Sequence, residues 1–472
     1  MEKKIIFGTD GWRGILDSEI NNETVAIAAQ AFTDYLINRE KKHLIKTAIG
    51  YDGRKYSREF AEIFAQVLSG NSINVHLSNS IIPTPVLSYY VKTMGFSAGV
   101  MITASHNPKE YNGIKFKDYY GGPFLTHETI KVESFLKSNP IKSNEENIFQ
   151  TDFLSIYFNQ LERLIDFDLL RRKNLNLLID SMGGAGQQIL ENILSKHQIS
   201  CKTIYKIAKP DFSGRQAEPI EINLAPLKER LQKGNFSFGI ATDGDADRCG
   251  VMLEDGNWLS AQETILLLSD YLINVKKVSG ALVKTSSVTD KLKAFFTTSG
   301  REVFDVQVGF KYICEKMISA DVAFGAEESG GFGYKNHIPE RDGILSGLII
   351  AEMLAHSGKQ KLSDYLTEKR KQFGKVFYNR IDKHYNNEDR VDKLPELFSH
   401  APKSIAGFKL LGMQEYFSSR GIINGLKLIL GERNRWLLIR ASETEPLIRL
   451  YAEGESDEEV QNILEAGKLF FP

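Results

Sequence analysis

Cysteine is nearly absent: the 472-residue chain holds three, Cys201, Cys249 and Cys314, far apart and odd in number. They form neither a disulfide framework nor a CxxC metal pair. Charge of one sign is also lacking, with 59 Lys and Arg against 60 Asp and Glu. No net field draws in nucleic acid or an anionic membrane, whereas small anionic substrates need only local positive groups and remain open. No apolar run approaches the ~20 residues of a membrane span. The opening MEKKIIFGTDGWRG has no signal-peptide core, so the expected compartment is the cytoplasm. Tandem repeats of short period and low-complexity tracts are missing too.

What is present is too long for one core, and about three or four domains are expected. A helical period runs from Thr24 to about Lys41. Strands at Lys46–Tyr51, Ile73–Leu77 and Ala98–Ile102 then alternate with helices at Ser57–Ser69 and Pro85–Met94. This order predicts a mainly parallel sheet with right-handed crossovers. The polar segment Lys137–Asn147 reads as a linker and ends the first domain near residue 150. A second unit begins with the strand Leu175–Asp180 and the turn SMGGAGQQIL, which lacks a full phosphate-binding signature and reads as structural. It closes with strands Phe236–Thr242 and Gly250–Leu253. A third unit carries strands Gly280–Thr285, Val303–Val306 and Ala320–Ala326, and ends with the helix Leu362–Lys371. The last hundred residues differ in texture, with strands Trp436–Arg440 and Leu447–Tyr451 and a helix that Ser456 and Glu459 open as a capping box. The resulting division is 1–150, 151–256, 257–371 and 372–472.

Four polar loops follow four of these strands. MITASHNPKEYNGIKF places Ser105 and His106 past the strand Ala98–Ile102 and ahead of Lys115. Reactive groups of an α/β sheet sit at this carboxyl edge, so Ser105 is a candidate nucleophile on an exposed loop. In TDGDADR, Asp243, Asp245 and Asp247 alternate along an extended loop and can face one side. Three such carboxylates repel unless a cation sits among them, and Mg²⁺ suits a site where phosphate supplies further ligands. An EF-hand is excluded: Glu254 fits the twelfth position, but the sixth, which needs glycine, is Arg248. In GAEESGG, Glu327 and Ser329 offer a carboxylate and a hydroxyl suited to neighbouring sugar hydroxyls. In RASETEP, Arg440, Ser442 and Thr444 can cradle phosphate. Lys311, Arg341 and the Trp12–Arg13 pair between glycines add positive charge.

Taken in order, TASHNP with YNGIKF, TDGDADR, GAEESGG and RASETEP resemble the α-D-phosphohexomutases, the phosphoglucomutases and phosphomannomutases, over essentially the whole chain. The resemblance implies an α/β protein of four domains around a central cleft: three similar mixed-sheet α/β domains and a smaller, mobile C-terminal α+β domain. It makes Ser105 the phosphorylated serine, and a Mg²⁺ ligand together with Asp243, Asp245 and Asp247. Glu327 and Ser329 would hold sugar hydroxyls, and Arg440, Ser442, Glu443 and Thr444 the non-reacting phosphate. Arg13, His106, Lys115 and Arg248 would stabilise charge and move protons, with Lys115 the favoured acid/base. Lys311 would sense which end of the sugar is bound. The implied activity interconverts hexose 1-phosphate and hexose 6-phosphate through a hexose 1,6-bisphosphate, with glucose preferred and mannose second. The implied partner is a small sugar phosphate, with no nucleic acid and no membrane, acting on a monomer or homodimer. A phosphopentomutase, a phosphoglucosamine mutase, a phosphatase or a non-catalytic sugar-phosphate binder are the alternatives. Two departures stand out. Glu443 occupies a position where many members carry Gly or Asn, and is expected to point away from the phosphate. Gly331 stands where some dual-specificity members have histidine, a form closer to glucose-preferring members.

Overall fold

The alternating apolar runs between residues 46 and 102 fold as a parallel βαβαβ unit, as their order predicts. The computed structural model describes residues 5–8, 10–40, 44–298, 300–418, 420–441 and 446–471. In the first unit Lys46–Tyr51 lies parallel to Asn74–Ser78 and to Ala98–Ile102, whose five residues are all buried. Three further strands widen this sheet to six. Tyr111–Asp118 pairs antiparallel with Ala98–Ile102, Trp12–Ile15 pairs antiparallel with Tyr111–Asp118, and Ile148–Thr151 runs along the far edge. The expected linker, Lys137–Asn147, leads directly into that edge strand. Lys142 N–H donates to Gln30 Oε1 at 3.2 Å and Asn144 N–H to Gln66 O at 3.1 Å, which guides the chain into the edge strand. That strand is only four residues long, IFQT, too short for its pattern to betray it.

The second sheet places Trp258–Leu259, Cys249–Leu253, Phe238–Thr242, Asn176–Asp180 and Ser200–Ile204 side by side. The third places Val303–Val306, Ala281–Thr285, Val322–Glu327 and Gly331–Tyr334 in that order. In each of the three sheets two strands that close a parallel run form an antiparallel pair: 98–102 with 111–118, 238–242 with 249–253, and 322–327 with 331–334. The loop inside each pair carries a motif. TASHNP, TDGDADR and EESGG thus occupy equivalent places in three similar units.

The fourth sheet is wholly antiparallel, six strands from Phe377–His384 to Ser404–Ile405, with the helix Asp457–Lys468 packed on it. Ser456 caps that helix by accepting from Glu459 N–H at 3.1 Å. The reciprocal half of the expected box is absent among the described residues, because the Glu459 carboxylate takes Glu455 N–H and grips Arg435 instead.

One core is shared by three units, and the first unit has a second of its own around Phe32, Phe64 and Phe116. Val86, Tyr90 and Met101 of the first, Ile179, Leu190 and Ile240 of the second, and Phe324, Phe332 and Leu348 of the third belong to one buried cluster. The helix Gly343–Ser357, buried from Gly343 to Ala355 and capped by Asp342 and by Gly358 in the left-handed region, runs through it. The fourth unit keeps its own core of Leu426, Leu428, Leu437, Leu450 and Ile463. It meets the third mainly through buried polar contacts: Thr289 Oγ1 donates to Glu453 at 2.6 Å, Lys427 Nζ to Asp290 at 2.9 Å and Tyr416 OH to Asp305 at 3.0 Å. No helix among the described residues is long and apolar enough to cross a membrane.

Candidate active site

Ser105 follows the strand Ala98–Ile102 and adopts a left-handed conformation with φ +51. The loop holds this strained shape because a buried guanidinium binds its carbonyls. Arg54 donates to Ser105 O and Asn107 O at 2.6 Å, and to Pro108 O and Tyr111 O at 2.8 and 2.9 Å. Asp52 completes the scaffold by accepting from Thr103 and Ser57, both at 2.6 Å, beside Arg54 Nε. The Ser105 side chain is fully buried, not exposed as its loop position suggested. Its Oγ donates to Asp243 Oδ2 at 2.9 Å and lies 3.5 Å from His106 Nδ1.

The three aspartates converge as their alternation predicts, all buried, with ligand oxygens within 4.8 Å of one another. Lys115 Nζ reaches Asp245 Oδ2 at 2.8 Å, Asp247 Oδ2 at 3.0 Å and Asp10 Oδ2 at 2.9 Å. Arg341 donates to Asp247 at 2.7 Å, Asp10 at 2.5 Å and Glu327 at 3.1 Å. Asp245 Oδ1 and Asp247 Oδ1 are buried without a hydrogen-bond partner among the described residues. Such orphaned acceptors, close together on hard oxygen donors, fit a divalent cation.

The electrostatics agree. Burial and the charges of Asp247 and Asp245 push Asp243 well above the usual carboxylate range. Burial opposes ionisation of Asp245 as well, but Lys115 overrides it and holds that carboxyl below its ordinary value. Burial works against the Lys115 cation, yet Asp10, Asp245 and Asp247 raise its pKa above the ordinary value. His106 is driven the other way: burial and the surrounding Arg248, Arg13, Lys115 and Arg341 keep the imidazole neutral. Arg248 N–H donates to Asp243 Oδ1 at 3.0 Å, and Arg13 donates to Asn107 Oδ1 at 2.6 Å.

The sugar-loop residues join the same cluster. Glu327 Oε1 accepts from Ser329 Oγ at 2.6 Å and from Arg341. The loop is pinned to the aspartate loop by a bridge between Arg248 and Gly331 and by Cys249 N–H donating to Gly330 O at 2.9 Å. A Cβ on Gly331 would lie 2.4 Å from Arg341 Cδ, so a histidine there would displace that arginine.

Two expected residues stand apart from this cluster's contacts. Lys311, on the helix Phe310–Ser319, is buried and donates to Thr126 Oγ1 of the first unit at 2.7 Å. Arg440 sits near the end of Trp436–Ala441, opposite Arg449 in the ladder, with its Nε lacking a hydrogen-bond partner among the described residues. Ser442, Glu443 and Thr444 lie outside the described residues. The glycine turn after Asn176–Asp180 is structural, as its sequence suggested. Ala185 N–H donates to Gly244 O at 2.9 Å, and a Cβ on Gly184 would meet Asp243 O at 2.8 Å, so the turn backs the aspartate loop. Sequence reading left Asp10, Asp52 and Arg54 without a role. Arg54 follows the carboxyl edge of Lys46–Tyr51, the same signal that exposed Ser105.

Three carboxylates matched by Lys115, Arg341, Arg248 and Arg13 around one serine hydroxyl, on loops of adjoining units, define an enzyme of phosphoryl transfer. The chain belongs to the phosphoglucomutase/phosphomannomutase family. Models of that family's α/β/α domains I, II and III match residues 4–141, 155–256 and 260–373, and its C-terminal domain matches 385–466. It is 29% identical to a phosphoglucomutase/phosphomannomutase of Thermococcus kodakarensis, over 98% of this chain and 97% of that one. It is 30% identical to a phosphoglucosamine mutase of Caldicellulosiruptor bescii, over 98% and 97%. A crystal structure from Thermus thermophilus, of a protein assigned as a phosphomannomutase, superposes with a TM-score of 0.85 at 32% identity, covering 99% of each chain. The chain is accordingly an intramolecular phosphotransferase, an isomerase.

Proposed function

We propose that the chain is a Mg²⁺-dependent phosphohexomutase that interconverts hexose 1-phosphate and hexose 6-phosphate, with glucose preferred and mannose second. A phosphoserine at Ser105 and a hexose 1,6-bisphosphate carry the phosphoryl group. The observation that carries this reading is the Ser105 Oγ, buried and 2.9 Å from Asp243 beside the two orphaned carboxylate oxygens. Asp243, Asp245, Asp247 and the serine phosphate would hold Mg²⁺, which when bound neutralises charge on the transferring group.

The remaining roles belong to the chain's own residues. In the first transfer a substrate hydroxyl gives its proton to the neutral His106 and bonds the serine phosphorus as the bond to Ser105 Oγ breaks. Lys115, kept protonated by its three carboxylates, is the acid for the departing Oγ. In the return transfer the Ser105 hydroxyl gives its proton back to Lys115 and bonds the other phosphorus, while His106, 3.5 Å from Ser105 Oγ, returns its proton to the departing sugar oxygen. Arg13 and Arg248 face the developing charge on the equatorial oxygens. Glu327 and Ser329 hold sugar hydroxyls, and Arg440 with Ser442, Glu443 and Thr444 holds the idle phosphate. Lys311 reads the sugar's orientation by exchanging Thr126 Oγ1 for substrate. As parts of the same reading, the domains divide at 1–150, 151–256, 257–371 and 372–472. The protein acts in the cytoplasm on a small sugar phosphate as a monomer or homodimer.

The names of relatives support a second substrate, glucosamine phosphate, carried by the phosphoglucosamine mutases of Caldicellulosiruptor bescii and its kin. Phosphorus NMR on glucose, mannose and glucosamine 1-phosphates, each with Mg²⁺ and a trace of bisphosphate, separates the readings. Appearance of glucose 6-phosphate fastest, without inorganic phosphate, upholds the proposal. Faster turnover of the amino sugar transfers the assignment to glucosamine, and inorganic phosphate alone makes the protein a phosphatase.

A further inference from the structure

Behind the site, the short loop Glu340–Arg341–Asp342 reaches into all three α/β units. Asp342 accepts from Tyr157 OH at 2.8 and 2.9 Å and from Leu345 N–H at 2.8 Å, and Gly343 N–H donates to Ala246 O at 3.1 Å. Glu340, fully buried, takes Lys117 Nζ at 2.5 Å. Lys117 lies two residues beyond Lys115 on Tyr111–Asp118, so both ammonium groups leave the same face of one strand. Between these anchors Arg341 spans Asp10, Asp247 and Glu327, one carboxylate from each unit.

The arrangement has a rival. Glu340 Oε1 already accepts Arg341 N–H at 3.0 Å and lies 3.8 Å from Arg341 Nε, which has no hydrogen-bond partner among the described residues. A buried carboxylate deprived of its cation recruits the nearest one, because its desolvation is otherwise uncompensated. Arg341 is that nearest cation.

We propose that the buried Lys117–Glu340 ion pair is a positioning device for the reaction. By occupying Glu340, Lys117 leaves the Arg341 guanidinium to bridge the three loops, and so fixes the charge on the aspartate loop and the place of Glu327. Neither Lys117 nor Glu340 touches the reacting atoms; both act through Arg341. The kinetic consequence rests on the mutase reading, whereas the metal-binding consequence does not.

The test uses the full chain with Ser105 unphosphorylated and Mn²⁺ as the spin-active probe. In Lys117→Met, Arg341 turns to Glu340 and Asp247 loses a cation. Mn²⁺ then binds about fivefold to tenfold tighter, while kcat falls about tenfold or more with KM within about twofold. Lys117→Arg retains wild-type values of both. The double variant Lys117→Met/Glu340→Gln has no lone charge and returns Mn²⁺ affinity and kcat to within about threefold of wild type, a non-additivity expected of a coupled pair. If Lys117→Met does not fold, Lys117→Gln gives the same signs at smaller size. Unchanged or weaker Mn²⁺ binding, or a double variant as impaired as the sum of the singles, overturns the proposal. A wild-type chain without mutase activity on any sugar phosphate defeats the functional reading instead, and the Mn²⁺ titrations still decide the positioning role.

Discussion

Ser105 shows how much a single side chain can be asked to do while making little difference to the fold. Its hydroxyl is buried and held by Asp243, yet removing it deletes one hydrogen bond and leaves Asp243 on Arg248 N–H. Ser105→Ala is therefore expected to lose at least about a thousandfold in turnover, while thermal unfolding reports about 1 kcal/mol or less of lost stability. Asp245 joins Thr84, Lys115 and the orphaned oxygens. Asp245→Asn should raise the Mg²⁺ concentration for half-activity about tenfold and lower kcat together with it; a Mg²⁺ titration of rate checks both. His106 gives a pH signature in the unphosphorylated, metal-free protein. Its folded pKa lies below the ordinary 6.5, so the unfolded chain binds its proton first as pH falls. Its contribution to stability is present above about pH 6.5 and is lost below it, and His106→Asn should flatten the fall of Tm between about pH 6.5 and 5.

At the scale of elements, the three motif loops were legible in the sequence because each interrupts an apolar strand at its carboxyl edge. TASHNP, TDGDADR and EESGG needed only a change from apolar to polar to be found. The strand Tyr111–Asp118 was not, since its alternating lysines and asparagine read as part of a loop although nearly all of it is buried. Lys115 satisfies its charge against Asp10, Asp245 and Asp247, and Lys117 against Glu340, all more than a hundred positions away, and no local pattern carries that information. Arg341 was visible as a positive charge but not as the link between Asp10, Asp247 and Glu327, for the same reason. The aspartate loop itself depends on a glycine: a Cβ on Gly244 would stand 2.3 Å from Ser105 O. Gly244→Ala should push the Ser105 loop off Asp243 and cost at least about a hundredfold in kcat, with circular dichroism and Tm showing that the sheets persist.

Across the whole molecule, the core divides the chain unequally. The first three units share one apolar cluster, and the first adds another of its own around Phe32, Phe64 and Phe116. The fourth has its own core and touches the third through Glu453, Lys427 and Tyr416 and a small apolar cluster with Val308, and the first through an Arg420–Glu133 pair at 3.3 Å. Polar contacts and one small apolar cluster release more readily than a large shared core. Scanning calorimetry should therefore resolve the fourth unit as a separate transition. Leu428→Ala, in its core, is expected to lower that transition by about 2–5 kcal/mol and leave the other in place.

The contacts among the three hairpin loops bear on how such a protein can be altered. Gly244 seats Ser105, Arg248 pairs with Gly331, and Gly343 donates to Ala246. The floor of the cleft is thus one interlocked piece contributed by three chain segments, and exchanging any one unit for a relative's breaks its fit with the other two. The part that can be swapped is the wall. Transplanting the fourth unit leaves those three seams untouched.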